Sequence, residues 1–170
     1  MGLFGKLLGG GKEETPAGKA EKDLVFAPLS GTAIPLEEIG DGVFSEGVLG
    51  RGCGIKPDAG TVVAPFDGTV TQVADTKHAV GLEGAGSVEL LIHVGMDTVE
   101  MKGEGFRTLV RVGDRVKRGQ TLMTFSRQAI AEAGFADTTA IVVTNADSCG
   151  SVSLLKTGGV SAGEKLLQVE

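Results

Sequence analysis

The chain has 170 residues, a net charge of −6 and neither Trp nor Tyr. An acidic surface without stacking aromatic side chains argues against binding to nucleic acid. Glycine takes 28 positions spread through apolar segments, which is typical of a turn-rich β domain with one buried core. Cys53 and Cys149 lack the C-x-x-C spacing of zinc fingers and redox motifs, so we expect reduced thiols of a cytoplasmic protein, with a disulfide as the alternative.

Residues 1–22 are predicted to be a leader and linker that precede a single domain of residues 23–170. The first apolar run is too short for a signal peptide or a membrane span. Its four apolar side chains would share one face of a two-turn helix resting weakly on a membrane surface; they are Leu3, Phe4, Leu7 and Leu8. A leader without structure is the alternative, because two helical turns are marginal in water.

Two short patterns occur twice in the domain. A-P-x-x-G-T begins at Ala27 and again at Ala64, and V-x-x-G-x-x-L begins at Val116 and again at Val160. Each pair predicts one strand-turn-strand unit used twice. Residues 127–133 (RQAIAEA) form the one good helical pattern. The sequence therefore predicts an all-β, compact antiparallel sandwich or barrel with duplicated units and at most one or two short helices.

The only two histidines end strand-like runs, residues 69–78 (TVTQVADTKH) and 87–93 (SVELLIH). Gly84-Ala85-Gly86 between the runs predicts a hairpin. A turn centred on Ala85-Gly86 would set His78 directly opposite His93, with Cβ atoms about 4.5–5.5 Å apart. The same register predicts Val80 and Leu91 beside the histidines, and an apolar row on the other face made of Ala79, Val88, Leu90 and Ile92.

Facing imidazoles suit three tasks: binding a metal, carrying a phosphoryl group or moving protons. Thr76 lies two residues before His78, so its hydroxyl can hydrogen-bond an imidazole and fix its tautomer. Asp97 follows His93 by four residues and could orient the imidazole, bind a metal or meet a basic partner. Spacing alone does not bring Asp41 near the histidines.

Other chemistries lack their motifs. The glycine-rich residues 50–54 are not followed by Gly-Lys-Ser/Thr, and no serine lies in an elbow motif. A zinc metallohydrolase is the alternative function, with His78, His93 and Asp97 as its only plausible ligands. A biotinyl or lipoyl carrier would need a lysine at its hairpin tip, where this chain has Ala85-Gly86.

Several stretches resemble the glucose family of enzyme IIA components of the bacterial phosphoenolpyruvate:sugar phosphotransferase system. The resemblance runs from about Val25 to the end of the chain, and it is most specific at A27-P-L-S-G, G54-I-K-P, V63-A-P-F-D-G, T76-K-H and H93-V-G-M-D-T-V-E-M-K-G-E-G-F. It implies an antiparallel β-sandwich and a phosphotransferase component. His93 would take a phosphoryl group from phospho-HPr and pass it to the IIB domain of a glucose-type sugar permease. His78 would stabilise that group, and Thr76 would orient an imidazole.

The resemblance also implies a docking surface for HPr and bears on cofactors and on regulation of other proteins. Asp41 and Asp97 would meet arginines of HPr, beside an apolar apron formed by Phe44, Val48, Leu49, Leu91 and Val99. No cofactor is required, but the two histidines could hold zinc together with a carboxylate of a partner. Ala74, Val80 and Leu91 stand where phenylalanine is familiar in the family, so regulation of other proteins does not carry over from enteric relatives. The sugar is not specified.

Overall fold

The computed structural model describes residues 24–170, so the predicted leader, linker and membrane contact lie outside the described residues. The described part has fourteen strands and one α-helix. Their bounds are β1 Leu24–Phe26, β2 Gly31–Pro35, β3 Arg51–Pro57, β4 Thr61–Val63, β5 Gly68–Val73, β6 Ala79–Gly84, β7 Glu89–His93, β8 Phe106–Thr108, β9 Arg115–Val116, β10 Thr121–Phe125, α1 Arg127–Glu132, β11 Thr139–Val143, β12 Val152–Leu154, β13 Gly158–Val160 and β14 Lys165–Val169.

The strands form three antiparallel sheets. The large sheet has the order β13-β2-β3-β11-β7-β6-β5-β9, and two small sheets have the orders β1-β14-β12 and β4-β10-β8. Apolar side chains of all three sheets pack in one core, among them Ile92 and Ile141 from the large sheet and Leu122 and Leu166 from the small ones. The predicted all-β antiparallel fold is confirmed.

The repeated sequence patterns form equivalent structures. Each A-P-x-x-G-T pattern leads from a small sheet into the large one, as β1 to β2 and as β4 to β5. Each V-x-x-G-x-x-L pattern leads from an edge strand of the large sheet back to the centre of a small one, as β9 to β10 and as β13 to β14. Phe26 N donates to Pro65 O (3.0 Å), and Val63 N donates to Pro28 O (2.7 Å). These reciprocal bonds join two copies of one unit about a pseudo-twofold axis.

The predicted helix is present and short. Helix α1 covers Arg127–Glu132, its N-cap Ser126 accepts a hydrogen bond from Ala129 N, and Ile130 is buried beneath it. Within residues 24–170, no helix is long and apolar enough to cross a membrane. Both cysteines are free thiols.

The predicted histidine hairpin is wrong in its first strand and its register. Residues 69–78 are not one strand, because β5 ends at Val73 and a turn closed by the bond from Lys77 N to Ala74 O follows. The hairpin is β6–β7, and Ala79, rather than His78, pairs with His93. The turn is a 3-10 turn over Ala85–Ser87 centred on Gly86, whose φ of 78° glycine adopts readily, so the register shifts by one residue.

The one-residue shift in register places the side chains of Val80 and Ala79 on the faces of the sheet opposite to those predicted. Val80 pairs with Ile92 and is fully buried in the core, so it does not lie beside the histidines. Ala79 lies across from His93 instead of on the opposite face. Leu90, Ile92 and Val88 are core residues, as predicted. His78 is left one residue before β6, at the end of the ladder.

Candidate functional site

His93 is the last residue of β7, paired with Ala79 on one side and Ala140 on the other. The chain leaves the strand through Gly95, whose φ of 81° turns the backbone back under the imidazole. The Nδ1 atom of His93 lies 2.9 Å from the carbonyl oxygen of Gly95. Because a carbonyl oxygen only accepts hydrogen bonds, Nδ1 must carry the proton. The lone pair of His93 is therefore on Nε2.

His78 lies beside His93 despite the register shift. The ring centroids are 4.6 Å apart with an interplanar angle of 86°, so one imidazole meets the other edge-on. Val94 N donates to His78 O (2.8 Å), which ties His78 to the residue that follows His93. Thr76 Oγ1 lies 2.8 Å from His78 Nδ1, as the spacing of the two residues predicts. A hydroxyl that donates here leaves the proton of neutral His78 on Nε2.

Aromatic side chains form the walls around the pair. The ring centroid of Phe44 lies 4.9 Å from that of His93, and the ring centroid of Phe106 lies 6.5 Å from that of His78. Burial and, next, the neighbouring His78 lower the pKa of His93 to about 4, against opposing contributions from Gly95 and Asp41. Burial also lowers the pKa of His78. Both imidazoles are therefore neutral at pH 7, and the Nε2 lone pair of His93 is available without prior loss of a proton.

Asp41 lies at the site, although its sequence position did not indicate this. Its two carboxylate oxygens accept hydrogen bonds from Phe44 N (3.0 Å) and Ser45 N (2.9 Å). Burial alone would raise the pKa of Asp41, but these backbone N–H groups hold it below the ordinary value. The carboxylate thus shapes the loop that presses Phe44 against His93.

A shallow cleft beside His93 is lined by both predicted acidic residues, Asp41 and Asp97. Its predicted apolar residues Leu49 and Val99 are 42% and 48% exposed. Val48 is 68% exposed but is not part of the lining. Leu49 and Val99 thus form an open aliphatic rim at the cleft, and Val48 lies outside its lining.

Two predicted apron residues lie beneath the surface instead. Phe44 is only 5% exposed, and Leu91 is half-buried against it in a small cluster with Ala140 and Val142. The Phe44 ring packs against His93 and offers little area to a partner.

Sequence reasoning missed several residues of the site. Val43, 45% exposed, lines the cleft, as do Ile39, Met96 and Ala136. Val43 stands in an exposed turn without periodicity, so no pattern marked it. The acceptor role of Gly95 was not identified either, because a backbone carbonyl has no signature in the sequence.

The histidine pair does not form a complete zinc site. Among residues 24–170, no group of three or more His, Cys, Asp or Glu side chains lies close enough to hold a metal ion, so Asp97 does not complete a ligand set. A catalytic zinc takes three protein ligands and a water molecule. The donor set therefore does not fit the alternative of a zinc metallohydrolase.

Comparison with known proteins agrees with this geometry. A family model described as "phosphoenolpyruvate-dependent sugar phosphotransferase system, EIIA 1" matches residues 23–149. The "PTS system glucose-specific EIIA component" of Staphylococcus aureus is 40% identical over 163 residues, 95% of each chain. The solved structure of "glucose permease IIA" from Mycoplasma capricolum superposes with a TM-score of 0.78 at 33% identity, covering 85% of this chain and 93% of that one.

Some relatives are longer proteins. The "PTS system glucoside-specific EIICBA component" of Staphylococcus carnosus is 47% identical over 146 residues, which are 86% of this chain but 21% of that protein. The chain likewise spans 24% of two other multicomponent relatives. Family and fold agree with the resemblance seen in the sequence. The chain belongs to the EIIA family of the phosphoenolpyruvate-dependent sugar phosphotransferase system, whose members are phosphotransferase components.

Proposed function

We propose that the chain accepts a phosphoryl group from phospho-HPr on Nε2 of His93 and passes it to the IIB domain of a glucose-type sugar permease in the cytoplasm. The observation that carries this proposal is the tautomer of His93. Its Nδ1 is occupied by the Gly95 carbonyl, so a neutral, partly buried imidazole offers Nε2 as its only nucleophilic atom. This arrangement is ready to form and break one N–P bond.

In the accepting step, the Nε2 lone pair of His93 attacks phosphorus in line with the bond to the donor. That bond breaks, and the donor side chain keeps its electron pair. The transition state is loose, so catalysis consists mostly of positioning and charge stabilisation. The onward step to IIB runs the same exchange in reverse. No proton is consumed overall.

His78 supplies the charge stabilisation. A phosphoryl group brings a charge of about −1.5 to −2 at neutral pH. This charge next to His78 raises the proton affinity of an imidazole that is neutral in the free protein. A Thr76 hydroxyl that donates to Nδ1 leaves Nε2–H of His78 available as a donor. Phosphorylation therefore loads a proton onto His78, and departure of the group releases it.

The surface around the cleft suits successive docking of two proteins. Val43, Leu49 and Val99 form an open aliphatic rim that can exclude water and so protect a phosphohistidine from hydrolysis. Asp41 and Asp97 at the same cleft offer carboxylates to basic side chains of HPr. A zinc ion would need further ligands from a docked partner, because the chain supplies only two imidazoles there.

The test is reconstitution with phosphoenolpyruvate, enzyme I and HPr, followed by mapping of acid-labile phosphate. We expect one phosphoryl group on His93 and none in His93→Ala. His78→Ala is the matched control, because it removes the other imidazole and leaves the acceptor in place. Labelling of His93→Ala at the rate of the unchanged chain would exclude His93 as the acceptor.

A further inference from the structure

A second surface has the opposite charge to the cleft. Residues 107–118 hold five of the 16 basic residues of this acidic chain and a single carboxylate, Asp114. The side chains concerned are Arg107, Arg111, Arg115, Lys117 and Arg118. The clustering is not required by the histidine site, so it calls for a separate explanation.

The two strands of this segment are both edge strands. Strand β8 ends one small sheet, β9 ends the large sheet, and the chain connects them directly. Along β8 and the residues after it, Phe106 and Val110 are buried while Arg107, Leu109 and Arg111 are exposed. Since Phe106 lies beside His78, the exposed residues of β8 face away from the histidine pair.

Apolar side chains are interleaved with the charges. Leu109 is 47% exposed, and Val112, in the turn from Arg111 to Asp114, is 63% exposed. Among residues 24–170, no carboxylate forms an ion pair with Arg107, Arg111, Arg115 or Lys117. We call the outward side chains of this segment the basic ribbon: Arg107, Leu109, Arg111, Val112, Arg115 and Lys117.

We propose that the basic ribbon docks the protein on an anionic phospholipid surface. Arginine and lysine attract anionic headgroups, and exposed aliphatic side chains between them can enter the interface. Charges alone would protect the sheet edges from pairing with another chain, but that task does not need exposed Leu109 and Val112. The ribbon lies away from the histidines, so a protein could occupy the cleft at the same time.

Other occupants fit the ribbon less well. Residues 1–22 carry four lysines and three glutamates, so they offer no complementary charge. Nucleic acid would favour aromatic side chains for stacking, and none is exposed in the ribbon. A second copy that docked its acidic cleft on the ribbon would cover its own His93, and a dimer is therefore an outcome of the test. The inference does not depend on the proposed phosphoryl transfer.

The test is co-sedimentation of the full chain with vesicles of phosphatidylcholine alone or mixed equally with phosphatidylglycerol. We expect binding only to the mixed vesicles, weakening as salt rises. Each basic residue near an anionic surface contributes about fivefold to partitioning. Arg111→Gln with Arg115→Gln should therefore bind about 25-fold more weakly. Lys56→Gln with Lys165→Gln is the matched control, since both lysines are exposed elsewhere and the net charge changes equally.

The double variant Leu109→Ser with Val112→Ser should also bind the vesicles more weakly, but the salt dependence of its binding should be unchanged. Equal unfolding midpoints and equal phosphoryl acceptance in solution would show that the variants are folded. Absence of wild-type binding, binding retained by the arginine variant, or equal loss in the lysine control would each overturn the proposal. So would a dimer in light scattering that the arginine variant dissociates, because the ribbon would then be an interface between copies.

Discussion

The reactive atom of His93 is selected by a backbone carbonyl, that of Gly95. The carbonyl can only accept a hydrogen bond, so Nδ1 keeps its proton and Nε2 keeps the lone pair. In His78, by contrast, Nδ1 contacts the Thr76 hydroxyl instead of a carbonyl oxygen. The two identical side chains thus have different hydrogen-bond partners at Nδ1, a carbonyl for His93 and a hydroxyl for His78.

The pKa of His93 should be directly measurable by NMR titration of the free chain. We expect a midpoint near 4, because burial disfavours the imidazolium. The unfolded chain protonates near 6.5, so the folded protein binds fewer protons between these values. His93 therefore makes the free energy of unfolding decrease as the pH falls from about 6.5 to about 4. A midpoint near 6.5 would show that the imidazole is solvated and that Phe44 does not cover it.

Replacement of His78 by glutamine should separate the two halves of the relay. Glutamine keeps an N–H donor, but it cannot bind the additional proton that His78 is proposed to bind when the phosphoryl group is present. His78→Gln should still accept phosphate from phospho-HPr, and onward transfer to IIB should slow by about 100-fold. Single-turnover kinetics of both steps would measure this. Unchanged onward transfer would assign His78 a purely structural role.

At this scale the sequence predicted the side chains but not their backbone partners. The contact of Thr76 with His78 follows from their spacing, whereas the two histidines lie together although the cross-strand pairing predicted for them was wrong. The carbonyl of Gly95 and the hydrogen bonds accepted by Asp41 depend on how loops fold back, which leaves no pattern in the residue types. Asp41 was therefore expected only as a docking charge, whereas it also supports Phe44 from within the loop.

Among the elements, the exit from β7 positions the imidazole of His93. Gly95 has a φ of 81°, and a Cβ there would meet Thr98 Cγ2 at 2.4 Å and Ala136 O at 3.0 Å. Thr98 is fully buried, and its hydroxyl donates to Val94 O. The close approach of these residues fixes the carbonyl that holds His93.

Gly95→Ala should therefore damage both stability and the site. A left-handed alanine costs about 1–2 kcal/mol, and forced repacking adds about 1–3 kcal/mol. Gly119→Ala is the control, because its φ is 89° and nothing lies within 4 Å of its Cβ position. Denaturant unfolding should show a larger loss for Gly95→Ala, and only that variant should accept phosphate slowly. Equal losses would mean that backbone strain alone matters at Gly95.

The loop containing Asp41 holds Phe44 in place through hydrogen bonds to the Asp41 carboxylate. Asp41→Ala removes two hydrogen bonds to backbone N–H groups and should cost about 1 kcal/mol, as the loss of a helix cap does. It also removes the carboxylate charge, but it should loosen Phe44, and because burial is the largest cause of the lowered pKa of His93, the net effect should be a rise in that pKa. Asp41→Asn removes the charge but keeps one acceptor, so it should lower that pKa. Asp97→Ala is the matched control, and NMR titration of all three would show whether the loop or the charge sets the pKa.

The repeated patterns were reliable guides to the elements, and the hairpin register was not. A-P-x-x-G-T and V-x-x-G-x-x-L mark turns whose geometry is local, so each copy folds alike. The β6–β7 register depends on the turn over Ala85–Ser87, where a 3-10 turn instead of a two-residue turn shifts every pair by one. The histidines still meet, because the residue at a strand end can reach its neighbour from outside the ladder.

In the whole molecule, the segments around the cleft are uniformly acidic. Residues 37–46 and 97–100 carry six carboxylates and no basic residue. Such a field attracts a basic partner before contact and speeds encounter more than it tightens the complex. The basic ribbon carries the opposite sign on another part of the surface.

Asp97→Asn should accordingly slow the association with HPr while changing dissociation little. The effect should shrink at high salt, since the screening length falls to about 3 Å near 1 M. Asp97 is the better residue for this test than Asp41, which also accepts backbone hydrogen bonds. Stopped-flow binding at several salt concentrations measures the rate, with Asp147→Asn as a control outside the cleft. A salt-independent loss would indicate a disturbed loop.

The position of the phosphoryl group on the imidazole tests the central claim most directly. The chain would be phosphorylated with phosphoenolpyruvate, enzyme I and HPr and kept at alkaline pH. Phosphorus NMR and nitrogen correlation spectra would then identify the substituted ring atom. We expect phosphate on Nε2 of His93, with Nδ1–H still bonded to the Gly95 carbonyl. Phosphate on Nδ1, or on any residue other than His93, would contradict it.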